Sequence, residues 1–148
     1  MAEVETERAA EGAGTVICTA KTRTTGGREN GVARSYDGRL DVRLSLPGSL
    51  RIGTNPEQLF AAGWSACFES AIRLAARKRK IGLTEVVIDA EVDLHLAGRD
   101  DYFLSARLNI GLPRVDRAIA VQLIEDAEQL CPYSKATRGN IDVAINLV

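Results

Sequence analysis

The order of patterned segments predicts an α+β fold, βββ-α-ββ-α-β, in one domain over residues 15–148. Three observations carry this. Several short segments alternate apolar and polar residues with period two, as half-buried strands do. One long apolar, alanine-rich stretch between residues 55 and 80 carries helix signals at both ends. A second segment, closed by Pro132, places Ile119, Leu123, Ala127 and Leu130 at helical spacing.

Taken in order, "TVICTAKTRT" (15–24) is rich in β-branched residues and reads as a strand. "GGREN" (26–30) is a turn and "GVARSY" a second strand. Asp37-Gly38 marks a hairpin, after which "LDVRLSL" (40–46) alternates as a third strand. "PGSLRIGT" (47–54) is a loop. Asn55, Pro56 and Gln58 then form an N-cap, an N1 proline and a capping-box partner for a helix running to about Lys80, with Gly82 as its stop. "VVIDAEVDLHL" (86–96) and "YFLSARLNI" (102–110) are alternating strands joined by the turn "AGRDD". Asp116 caps the second helix, Pro132 ends it, and "NIDVAINLV" (140–148) is the last strand. The central helix is apolar on more sides than one small sheet covers, so a second subunit is expected on the remainder.

Composition narrows the function. The chain of 148 residues is 45% apolar and 26% charged, the balance of an ordinary globular domain. A net charge of −1 gives no electrostatic footprint for nucleic acid. No apolar run is long enough for a membrane span. The opening "MAEVETERAAEGAG" is acidic and lacks an apolar core, so it reads as a disordered tail over 1–14 rather than a secretory signal. Three cysteines without such a signal point to a reducing cytoplasm. With no C-x-x-C and one histidine, no metal site or cofactor is expected.

The candidate chemistry lies with the cysteines. Cys67, in "AAGWSACFESA", is either core filler among Phe60, Trp64 and Phe68 or a nucleophile. Cys131, at a helix end beside Pro132, is either an anchor for the last turn or a thiol free to meet another. Cys18 reads as strand filler. His95 falls on the polar face of its strand and reads as a surface residue, which disfavours a Cys–His hydrolase. A thiolate without a histidine needs another cation, and Arg28 beside the Gly26-Gly27 pair is a candidate as well as an ordinary turn arginine. Glu57, near the helix start, has a sufficient structural reason in the helix dipole.

A resemblance weighs these alternatives. "GTNPEQLFAAGWSACF" (53–68) and "CPYSKATRGNID" (131–142) resemble the two cysteine motifs of the organic hydroperoxide resistance (Ohr) proteins of the Ohr/OsmC family. "TRTTGGR" (22–28) and "SYDGRLDVRLS" (35–45) match further family text, so the resemblance spans residues 15–148. It implies an OsmC-like fold in an intertwined homodimer. It implies a peroxidatic Cys67, a resolving Cys131, an Arg28 that holds the thiolate and polarises the peroxide, and a Glu57 that holds Arg28. The apolar wall of Phe60, Trp64 and Phe68 would then bind alkyl and lipid hydroperoxides. The implied reductant is dihydrolipoamide or a lipoylated protein. The chain departs from the family pattern at Trp64, Glu69, Lys135 and the loop 47–54.

If these roles hold, geometry constrains them. Glu57 and Cys67 are ten residues apart, or ~15 Å along a straight helix. Either the helix kinks near Gly63 or the site is assembled across a dimer interface. Two other readings compete: an OsmC-branch peroxidase with a different peroxide preference, and a non-catalytic redox-sensing or ligand-binding member of the fold.

Overall fold

The computed structural model describes residues 14–148. The expected disordered tail over 1–14 therefore lies, but for Gly14, outside the described residues. The described residues form two three-stranded sheets and four helices. The first sheet is a meander of β1 (Thr22–Thr25), β2 (Val32–Ser35) and β3 (Asp41–Arg43), antiparallel throughout. The expected turn at 26–30 is a single helical turn, α1 (Gly27–Asn30), entered through Gly26 and Gly27 with φ of 80° and 66°. Only glycine takes such angles twice in succession without strain.

Two strands are shorter than their patterns suggested. Residues 15–21 carry no ladder, and Val16 and Ile17 are 79% and 97% exposed. Their β-branched sequence favours a strand, but among the described residues no strand pairs with them. The third strand ends at Arg43, after which Leu44 forms an isolated bridge with Thr54 and donates its N–H to the Gly31 carbonyl at 2.8 Å.

The long helix, α2, runs from Pro56 to Lys78. Asn55 caps it by accepting from the Gln58 N–H at 2.9 Å. The Gln58 side chain does not return to Asn55 as a capping box would; its Oε1 accepts from the Thr54 hydroxyl at 2.7 Å. The helix stops before Gly82, because Lys80 adopts φ 58° and the N–H groups of Lys80 and Ile81 close on the carbonyls of Arg77 and Ala76. That is a Schellman ending with lysine in the left-handed position.

The second sheet pairs β4 (Val87–Ala97) antiparallel to β5 (Asp101–Gly111), and β5 parallel to β6 (Asp142–Leu147). The parallel step requires a crossover, supplied by α3 (Arg117–Leu130) and α4 (Pro132–Thr137). Pro132 ends α3 as expected, and the same residue opens α4, which the sequence pattern did not reveal. A proline suits a first helical turn for the reason it cannot extend one: it lacks an N–H.

One face of the second sheet and the helices enclose the core. Trp64, Phe68, Ile72, Leu108, Ile110, Leu123 and Cys131 are fully buried there. Burial of α2 is one-sided: Ala62, Ala66, Ser70 and Leu74 lie four apart on an exposed face. The first sheet makes no extensive contact with the helices or the second sheet.

Candidate active site

The residues singled out in the sequence fall into two pairs. The first forms at the start of α2. The short α1 turns Arg28 toward Glu57, which sits in the first turn of α2. The guanidinium donates through Nη2 to Oε1 at 2.8 Å and through Nη1 to Oε2 at 3.3 Å, a two-point grip on the carboxylate. The Glu57 side chain is 16% exposed and that of Arg28 is 39% exposed. The Arg28 hydrogen bond holds the Glu57 carboxyl below its ordinary value, against the opposing effect of burial. Both residues line an open cavity of about 520 Å³ with Leu46, Ala61, Val92 and Leu94.

The second pair forms at the middle of α2. Cys67 is half-buried and Cys131 fully buried, and neither is in a disulfide. The two thiols are neighbours. Burial pushes the Cys67 thiol above its ordinary value, the adjacent Cys131 adds to this, and the backbone N–H of Tyr133 opposes it by hydrogen bonding to the sulfur. Cys131 is therefore not the loosely packed helix end that its place beside Pro132 suggested. It is the residue on which α3 closes and α4 opens, held in the core on both sides.

Around this pair, Phe60 meets Trp64 edge-on at 5.6 Å and Tyr133 at 6.1 Å between ring centres. Trp64 and Phe68 are core residues with no exposed surface, whereas Phe60 reaches an apolar groove of about 450 Å³ with Leu104, Pro132, Tyr133 and Ile141. Tyr133 was not foreseen. Its ring lies over Gly63, where a Cβ would come within 2.6 Å of the Tyr133 hydroxyl, so the missing side chain lets α4 approach α2. Reading Pro132 as a helix start, rather than only as a stop, would have drawn attention to Tyr133.

The two pairs do not meet within this chain. Helix α2 continues through Gly63 without interruption, so Glu57 and Cys67 remain ~15 Å apart along its axis. His95 belongs to neither pair. It lies on the outer face of β4, where Nε2 is 2.7 Å from the Ser105 hydroxyl and the ring stacks on Phe103. Cys18 is exposed. Among the described residues no three His, Cys, Asp or Glu side chains group as a metal site, and no helix is long and apolar enough to cross a membrane.

The sequence profile of the OsmC-like protein family matches residues 46–146. The chain belongs to the OsmC-like family. An organic hydroperoxide resistance protein of Xanthomonas axonopodis pv. citri (strain 306) is 46% identical over 138 residues, which is 89% of this chain and 95% of that relative. In three dimensions, an organic hydroperoxide resistance protein of Legionella pneumophila superposes with a TM-score of 0.84 at 39% identity, covering 90% of this chain and 98% of the other. The organic hydroperoxide resistance protein OhrB of Bacillus subtilis gives 0.82 at 38% identity, over 90% and 100%. The two small sheets and the long helix are thus those of the OsmC-like fold.

Proposed function

We propose that the chain is a two-cysteine peroxidase that reduces organic hydroperoxides to alcohols. The observation that carries this is the pair of neighbouring, unbridged thiols, Cys67 and Cys131, beside an apolar groove. Relatives named for organic hydroperoxide resistance, at up to 46% identity over most of the chain, support it.

The Cys67 thiolate attacks the distal peroxide oxygen. An S–O bond forms, the O–O bond breaks, and the alkoxide takes a proton and leaves as the alcohol. Cys67 is left as a sulfenic acid, which condenses with the Cys131 thiol to a disulfide and water. A dithiol then restores both thiols by exchange, and dihydrolipoamide or a lipoylated protein is the proposed donor. A reducing compartment such as the cytoplasm suits this resting state. The groove beside Phe60 and Tyr133 receives the alkyl or lipid chain, which gains about 25 cal/mol per Å² of apolar surface buried. Trp64 and Phe68 back that wall from the core.

Cys67 needs a cation to hold its thiolate, and burial alone works against it. Arg28 is the proposed cation, held by Glu57. Because the two pairs lie apart along one α2, the site is assembled from two copies of the chain in a homodimer. The exposed Ala62–Ala66–Ser70–Leu74 face of α2 supports a second copy there.

The activity is tested by following consumption of tert-butyl or fatty-acid hydroperoxide with a lipoyl-type dithiol. Wild type should turn over and Cys67→Ser should lose nearly all activity. A silent wild type would remove the enzyme, and an undiminished Cys67→Ser would remove the nucleophile.

A further inference from the structure

We propose that Arg138 is a positioning residue for disulfide closure: it fixes the α3–α4 corner so that the Cys131 sulfur stays aimed at Cys67. This rests on the two-cysteine reading above.

The corner has a built-in defect. Cys131 caps both helices, with φ −69° and ψ 122°, so its side-chain direction follows the angle at which α3 and α4 meet. In α3, the Ala127 carbonyl accepts from the Cys131 N–H at 2.8 Å. The next carbonyl, that of Glu128, would accept from residue 132, but Pro132 has no N–H to give. Arg138, the residue that closes α4, supplies the donor. Its Nη2 reaches back to the Glu128 carbonyl oxygen at 2.6 Å and lies 3.5 Å from the same residue's Oε1.

The bond closes a ring from Glu128 to Arg138 with Cys131 inside it. At its start, α4 is seated on α2 by the Tyr133 ring over Gly63. At its end, it is tied to α3 by Arg138. With both ends held, the short helix has one orientation. Without the second tie it can pivot about Tyr133, and Cys131 turns with it.

The chemistry makes that orientation matter at one step only. In the condensation, the Cys131 sulfur attacks the Cys67 sulfur. The S–S bond forms, the S–O bond breaks, and the departing hydroxide leaves as water with the Cys131 proton. A second peroxide competes by oxidising the sulfenic acid to a sulfinic acid. Holding the two sulfurs in line favours closure over that loss. The first attack on peroxide is made by Cys67, and Cys131 does not react in it.

The test reacts full-length wild type, Arg138→Met and Arg138→Lys with tert-butyl hydroperoxide, quenches with a thiol-blocking reagent, and follows each oxidation state by intact mass. Arg138→Met should oxidise Cys67 within about threefold of the wild-type rate. It should close the disulfide about tenfold more slowly, the order expected for loss of one charge-assisted bond, and accumulate more sulfinic acid at equal peroxide. Arg138→Lys, with a charged donor on a long stem, should recover most of the closure rate. An Arg138→Met protein that closes at the wild-type rate, or an Arg138→Lys protein no faster than Met, overturns the proposal. Should Arg138→Met not fold, hydrogen exchange on Arg138→Gln, whose neutral side chain is two atoms too short for the Glu128 carbonyl, decides. Faster exchange over residues 133–138 with α2 unchanged supports the tie, and exchange equal to wild type overturns it. If wild type itself oxidises at Cys67 without forming the Cys67–Cys131 disulfide, the two-cysteine reading fails and takes this proposal with it.

Discussion

Arg28 and Glu57 make a pair in which the acid is the more enclosed partner. The guanidinium lowers the Glu57 pKa, so the folded chain binds fewer protons there than the unfolded chain does. The stabilisation from this pair is complete above the ordinary glutamate value of about 4.3. It is lost as pH falls through the lowered folded value. Glu57→Gln should therefore be less stable than wild type at neutral pH, and the gap should close on acidification. Thermal melts of both proteins across the acidic range check this; a gap that widens toward low pH would contradict the pairing. Glu57 and Arg28 were legible because their partners are side chains at motif positions. Tyr133 and Arg138 were not, because they act through main-chain groups, the Tyr133 N–H on Cys67 and the Glu128 carbonyl under Arg138. A side-chain pattern carries no trace of which backbone group has been left without a partner.

The end of α2 shows why element boundaries resist the same reading. Gly82 was the evident stop, yet Lys80 takes the left-handed turn. The cause lies in packing. Ile81 folds onto the core beside Ala76, the contact that accompanies a Schellman ending, and that places lysine at the left-handed position. The conformation costs a non-glycine residue about 1–2 kcal/mol. Lys80→Gly should relieve it. Against the relief stand ~0.3 kcal/mol for a lost charge near an exposed helix end and ~0.4–1 kcal/mol for a freer unfolded chain. The net is a gain of about 0.5 kcal/mol, since the relief is the larger effect. Urea unfolding should show a higher midpoint with an unchanged slope and unchanged peroxidase activity. A midpoint at or below that of wild type would mean that the turn is not strained. The same logic explains α4: Pro132 announced an end, and only the crossover to β6 made it also a beginning.

At the scale of the molecule, three features of the single chain are unsatisfied together. One face of α2 is open, the first sheet makes no extensive contact with the helices or the second sheet, and among the described residues no strand pairs with the β-branched segment 15–20. The apolarity of α2 was legible in the sequence, but a pattern states that a face is to be buried and not what buries it. The proposed homodimer would answer all three features and would also bring Arg28 of one copy to Cys67 of the other, since within one chain the two lie apart along α2. This arrangement has a discriminating consequence. Cys67→Ser keeps Arg28, and Arg28→Met keeps Cys67; each homodimer should be nearly inactive. In a heterodimer of the two, isolated by co-expression with different tags, one of the two sites regains both groups. It should show about half the wild-type activity per dimer, because a closed two-fold pair has two equivalent sites. A site built within one chain gives a different result, since neither chain then holds both Cys67 and Arg28 and the heterodimer stays as inactive as its parents.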